Sequence, residues 1–283
     1  MTVSYAFKDV RTLKSDLSGG AITPGELVSY FASRIQKLND LSRAFITITA
    51  DAAADEANRL SPEDLTASPF SGIPYACKDL FDVEGVPTTA GSKVFHDRIG
   101  DRDAFAIAQL RAAGAVCLGK TNLHEFAYGA TGENEVYGTC VNAYDTTRLA
   151  GGSSSGSAAA VAFGLAPAAL RTDTGGSVRA PAVLNVLVGL KPTLDLVSTR
   201  GVVPYCWTLD HVGLITRTIA DCADFLDVLT TTRSHAEALN QPIKGLRIGI
   251  PTHFFQERTD RRFWPHWKRS KNTSQHKGPF WCR

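Results

Sequence analysis

The first long pattern of apolar positions runs at helical spacing. Leu27, Phe31, Ile35 and Leu38 recur every three or four residues, with mostly polar residues between them. Thr23-Pro24-Gly25-Glu26 stands ahead of that stripe. A Thr hydroxyl there can accept an orphan N–H of the first turn, Glu three places on can accept the cap's own N–H, and Pro needs none. The pattern then changes. In 69–77, PFSGIPYAC, proline and glycine punctuate the approach to a short apolar run that Lys78-Asp79 ends. Residues 103–113, DAFAIAQLRAA, read as a helix closed by Gly114, and AVCLG after it reads as a short buried strand. Asn122 to Glu125 suggests another cap. The stretch 146–164 is loop-like until Ala158–Ala162, whose small residues suit a close-packing helix. A second capping box at Thr218–Asp221 starts IADCADFLDVLTTT, with Ile219, Cys222, Leu226 and Leu229 expected inward. After Gly245, LRIGIP alternates as a strand. Strands alternating with helices predict an α/β layer architecture, and no internal repeat interrupts it.

Composition adds bounds rather than chemistry. The 283 residues suffice for one large domain or two modest ones, and 43% hydrophobic with 20% charged residues is ordinary for a globular chain. No stretch approaches the roughly 18 uninterrupted apolar residues of a membrane span. MTVSYAFKDVRTLKSDL lacks the basic and apolar regions of a secretory signal, so a cytoplasmic protein with no membrane partner is expected. Cysteines 77, 117, 140, 206, 222 and 282 show neither CxxC pairing nor metal-ligand spacing, and they fit reduced core thiols. The net charge of +2 hides an asymmetry: residues 258–283 hold eight Lys/Arg against one Asp, leaving 22 basic and 27 acidic residues in the body. That segment also carries three of the four Trp. Such a segment could serve as a nucleic-acid arm, yet it has no amphipathic period. The expectation is a folded body at 1–257 and a basic aromatic tail at 258–283 foreign to the fold, with nucleic acid not an expected partner.

The candidate chemistry lies in two glycine-rich segments. In LAGGSSSGSAAAVAFG, 149–164, Gly152 to Gly156 satisfies G-x-S-x-G, which nominates Ser154 as nucleophile with His211, His235 or His253 as base. That motif needs an apolar strand before the turn, and polar NAYDTTRLA stands there instead. A phosphate loop needs Lys followed by Ser or Thr where this chain has Ser157-Ala158. The second segment, RTDTGGSVRAP at 171–181, repeats the theme of glycines leading to a serine.

With Lys78, these segments resemble the amidase signature family. GIPYACKD, LGKTNLHEFAYG, GGSSSGSAAAVA, DTGGSVRAPA and VGLKPT follow one another in that family's order over roughly residues 20–250. The resemblance implies an α/β/α fold with a mixed sheet covered by helices. It implies a triad in which Lys78 is the base, Ser153 the bridging serine and Ser177 the nucleophile, 24 residues further on. It also implies a cis peptide bond at the bridging serine and an oxyanion hole from the backbone N–H groups of Thr174, Gly175, Gly176 and Ser177. Asp173 and Arg179 flank the nucleophile as loop supports, or Arg179 meets a substrate carboxylate. Ser155 stands where many members have Gly.

These roles are chemically coherent. A serine hydroxyl attacks only once a base takes its proton, and a lysine is that base only if burial drives its pKa well below about 10.4. Apart from the joint pattern, Lys78 would read as a surface lysine beside Asp79 and Ser177 as a turn serine. His96 and His124 read as surface or capping residues, and Cys77 as a packed core thiol.

The expected activity is therefore hydrolysis of a carboxamide through an acyl-enzyme, releasing ammonia or an amine, with no metal or organic cofactor. An alternative within the resemblance is the glutamine-hydrolysing A subunit of a tRNA-dependent amidotransferase, which passes ammonia to partner subunits. A homodimer is a further candidate assembly. Family members usually run longer, and the resemblance fades after LRIGIPTHFFQE. The sequence thus also allows a truncated, catalytically incompetent fragment whose exposed apolar edge invites aggregation or a partner.

Overall fold

The computed structural model describes residues 4–232, 234–242, 247–249, 255–260, 262 and 280–282. Backbone contacts divide the chain into two compact units, Met1–Ala236 and Glu237–Arg283.

The first unit opens with α1 (Val10–Ser18) and α2 (Pro24–Ser42), followed by β1 (Phe45–Ile48), α3 (Ala50–Asn58) and α4 (Pro62–Ala67). Then come β2 (Pro74–Lys78), α5 (Phe105–Ala112), β3 (Val116–Thr121), α6 (Ser155–Ala162) and β4 (Ala168–Asp173). It closes with α7 (Arg179–Leu184), β5 (Val188–Leu190), β6 (His211–Thr216) and α8 (Ile219–Thr230), and the boundary between the units falls within α9 (Ser234–Ala238). The sheet order is β1-β3-β2-β4-β6-β5, with β3, β2 and β4 mutually parallel and β1, β6 and β5 paired antiparallel. This is the expected mixed sheet of an α/β fold. Every residue of β2, β3 and β4 is buried, as expected of parallel central strands covered on both faces.

Local chemistry explains the helix starts. Thr23 and Glu26 form the reciprocal capping box at α2, whose buried stripe is Leu27, Val28, Phe31 and Ile35. A second box, Ser61 with Asp64, starts α4. Helix α6 begins at Ser155, three residues before the predicted alanine run, and everything from Ser155 to Val161 is buried against β2, β3 and β4. Gly156 makes that approach possible, since a Cβ there would lie 2.4 Å from both the Ala44 carbonyl and the Asn122 amide nitrogen.

Three expectations are corrected. Ile219 is 64% exposed rather than inward, while Cys222, Leu226 and Leu229 are buried; as the first residue of α8 it precedes the turns that lie on the sheet. At Thr218–Asp221 only half a capping box forms. The Thr218 hydroxyl accepts the Asp221 N–H, but Asp221 Oδ1 accepts the N–H of Val10 at 3.0 Å, so this carboxylate ties α1 to α8. Asn122 caps no helix: its amide donates to the carbonyls of Arg43 and Gly138, and only a short 3₁₀ turn, Glu125–Ala127, follows.

In the second unit, β7 (Arg247–Gly249) pairs in parallel with β8 (Phe280–Cys282), and α10 (Phe255–Arg258) lies between them in sequence. Most of the 258–283 tail, and His253, lie outside the described residues. Among the described residues no helix is long and apolar enough to cross a membrane.

Candidate active site

Lys78 ends β2, and Asp173 ends the adjacent parallel strand β4. Both therefore emerge at the carboxyl edge of the sheet, where α/β folds place their ligands. The Lys78 side chain is wholly buried. Its Nζ lies 2.7 Å from Ser153 Oγ and 3.0 Å from Thr172 Oγ1, with no carboxylate of the described residues in hydrogen-bond reach. Burial, joined by the positive field of Arg171, pushes the Lys78 pKa well below the ordinary lysine value, outweighing the opposite pull of Asp173 and Asp210. The sequence nominated Lys78 and Ser153; it had no signal for Thr172 or Arg171.

Arg171 is unusual in its own right. It is fully buried and sits on β4 one residue along from the Cys77–Leu170 pair, which puts it beside Lys78 in the parallel register. Among the described residues its Nε and Nη1 have no hydrogen-bond partner, and Nη2 makes only a 3.4 Å bond to the Leu214 carbonyl.

Ser153 follows a cis peptide bond from Gly152. The serine loop is fastened on both sides: Gly152 N–H donates to the Ala130 carbonyl at 2.7 Å, and His124 N–H donates to the Ser153 carbonyl at 2.9 Å. His124 is the residue that caps the Glu125–Ala127 turn, the second of the two roles expected of it, but its side chain makes no cap bond and its Nδ1 is buried with no partner among the described residues. His96, by contrast, is exposed and closes the Lys93–Phe95 turn. Ser154 is buried with its hydroxyl on the Thr172 carbonyl, and no described histidine bonds it. His211 turns to the Leu209 carbonyl and His235 to Asp227, so neither serves Ser154 as a base, and His253 lies outside the described residues.

Ser177 lines a pocket of about 310 Å³ with Gly152, Thr174, Gly175, Gly176, Ala127, Ala130, Ala180 and two tyrosines. No hydrogen bond joins it to Ser153 among the described residues. The loop before it is built on Asp173, whose carboxylate accepts from the Gly176 and Val178 N–H groups at 2.9 and 3.0 Å. Arg179 adds Nε at 3.1 Å and Nη2 at 2.9 Å. Burial alone would raise the Asp173 pKa; the Arg179 contact and the two N–H donors overcome it and hold the carboxyl below its usual value. Gly176 has φ +122°, a conformation that L side chains rarely adopt. Its N–H is committed to Asp173, whereas those of Thr174, Gly175 and Ser177 have no acceptor among the described residues.

Two further supports were not legible in the sequence. Asp210 Oδ1 accepts the Thr174 hydroxyl at 2.5 Å, and its Oδ2 accepts the N–H groups of Tyr205 and Cys206, both at 2.9 Å. Lys120 is fully buried and meets Asp79 Oδ1 at 2.8 Å, which pins the end of β2 to β3. Cys77 is the expected core thiol, 3.8 Å from the Cys117 sulfur. Among the described residues no group of His, Cys, Asp and Glu converges as a metal-ligand set.

Comparison with known proteins bears on the family and the fold. The model of the amidase family matches residues 26–270. The A subunit of glutamyl-tRNA(Gln) amidotransferase from Aromatoleum aromaticum is 43% identical over 264 residues, covering 86% of this chain and 54% of its own length. Among solved structures, native peptide amidase from Stenotrophomonas maltophilia superposes with a TM-score of 0.86 at 32% identity, over 98% of this chain and 62% of that one. The A subunit of glutamyl-tRNA(Gln) amidotransferase from Thermotoga maritima gives 0.84 at 28% identity, over 99% and 62%. The chain thus spans about half the length of the curated relatives it matches.

Proposed function

The chain belongs to the amidase family, and on that premise we propose that its site cleaves a carboxamide C–N bond through a Ser177 acyl-enzyme. The observation that carries this reading is the buried Lys78 amine, 2.7 Å from Ser153 Oγ and depressed in pKa by its surroundings. A neutral Lys78 keeps an N–H on Thr172 and offers its lone pair to the Ser153 hydroxyl. As Ser153 passes its proton to Lys78, it takes the proton of Ser177, whose Oγ forms a bond to the amide carbon. The C=O electron pair moves onto oxygen. The N–H groups of Thr174, Gly175 and Ser177 are the donors left to stabilise that oxyanion, each typically worth about 10²–10³ in rate. Collapse breaks the C–N bond, and the relay run backwards protonates the leaving nitrogen. Water then hydrolyses the ester by the same route. Asp173 and Arg179 hold the loop rather than react.

A second reading has its own support in the relatives named as glutamyl-tRNA(Gln) amidotransferase A subunits. There the amide would be glutamine's and the ammonia would pass to partner subunits. Labelling with a serine-directed fluorophosphonate tests the chemistry common to both. We expect modification at Ser177, abolished in Ser177→Ala and in Lys78→Ala. Equal labelling of wild type and Ser177→Ala would reject the nucleophile. A folded chain that takes no label would point to the incompetent fragment.

A further inference from the structure

Two aromatic side chains stand at the pocket of Ser177, and the chemistry above uses neither. Tyr128 and Tyr205 line it together. Their ring centroids are 5.7 Å apart with planes inclined at 52°. They are 71% and 44% exposed, a large aromatic area left open to whatever enters. The other side chains lining the pocket are small and uncharged.

Each ring is tied to a different serine loop. Tyr128 follows the turn whose His124 N–H holds the Ser153 carbonyl, and Ala130 two residues on receives the Gly152 N–H. Tyr205 donates its own N–H to Asp210, the carboxylate that also accepts the Thr174 hydroxyl. The rings are thereby set relative to the two serines by hydrogen bonds at their backbones, while their faces remain free. Tyrosine suits such a wall because it offers a broad rigid face at little rotamer cost.

Resting on the placement of Ser177 as nucleophile, we propose that Tyr128 and Tyr205 form the substrate-selecting wall, and that the preferred amide carries an uncharged planar group, aryl or comparably flat and apolar. Such a group gains offset or edge contacts with both rings and displaces their water. The ammonium and carboxylate of a free amino acid would be desolvated against the same surface without a charge among these lining residues to meet them.

The test uses the full chain carrying Ser177→Ala, with binding of benzamide and of glutamine followed by ligand-observed NMR. Benzamide is expected to bind about tenfold more tightly than glutamine, and Tyr128→Ala or Tyr205→Ala to weaken it several-fold, the scale of one lost aromatic pair. Phe at either position should retain binding. Absence of benzamide binding, equal or tighter binding of glutamine, or indifference to both alanine substitutions would overturn the wall. Fluorophosphonate labelling of the same tyrosine variants in the wild-type background separates the two readings. Label at Ser177 with benzamide binding blind to the tyrosines rejects the wall alone. Tyrosine-dependent benzamide binding without Ser177 labelling rejects the nucleophile alone.

Discussion

At the scale of single residues, the decisive quantity is the charge state of Lys78. A buried lysine that bonds two hydroxyls and, among the described residues, no carboxylate loses its hydration when charged, and the pull of Asp173 and Asp210 does not make up for that loss, so burial favours the neutral amine. Activity should fall as pH drops through the depressed Lys78 pKa. Arg171 contributes to that depression from the neighbouring strand. Arg171→Met should therefore move the acid limb of the pH–rate profile to higher pH, whereas Thr172→Val should lower kcat. An unmoved limb would show that the Arg171 charge is neutralised or screened. Stability carries the same signature with a definite sign. Between the folded and unfolded Lys78 pKa values the unfolded chain binds more protons, so this residue makes the fold more stable as pH rises. Lys78→Met should thus raise Tm more at pH 6 than at pH 9, read by thermal unfolding at both.

At the scale of elements, strands and helices are held in place by close approach and by shared carboxylates. Helix α6 must lie against Ala44 and Asn122, and Gly156→Ala should cost roughly 1–3 kcal/mol because the new Cβ meets backbone atoms that cannot turn aside. Denaturant unfolding would measure it. Thr218→Ala removes a single cap bond from α8 and should cost about 1 kcal/mol. Asp210 joins two loops that the sequence leaves unrelated, so Asp210→Asn should disturb both Thr174 and Tyr205. Its expected effect is slower Ser177 labelling with little change in Tm, since its partners lie in loops rather than in the core.

At the scale of the whole molecule, the candidate site belongs to Met1–Ala236 throughout, as does the six-stranded sheet that carries it. A chain ending at Ala236 should keep its far-UV circular dichroism and its Ser177 label; loss of both would show that Glu237–Arg283 supports the sheet. Large apolar side chains stand exposed from α7 to the start of β6, among them Val183, Val186 and Trp207. Much of the molecule was legible in the chain. The capping chemistry at Thr23, the stripe Leu27-Phe31-Ile35, the buried run before Lys78 and the alanine helix all follow from local periodicity, which depends on neighbours a few residues apart. The paired glycine-serine loops and Lys78 were legible as a joint motif, because their order and spacing survive in the linear text. What only the tertiary structure decided is which groups face one another. Strand register sets Arg171 beside Lys78 and Thr172 within reach of its amine; chain crossings bring Asp210 to Thr174 and Tyr128 to Tyr205. Hydrogen bonds and fields act over a few ångströms whatever the separation along the chain, so periodicity carries no trace of them. The sequence alone determined the elements and the chemical groups, and folding determined the distances that turn those groups into a site.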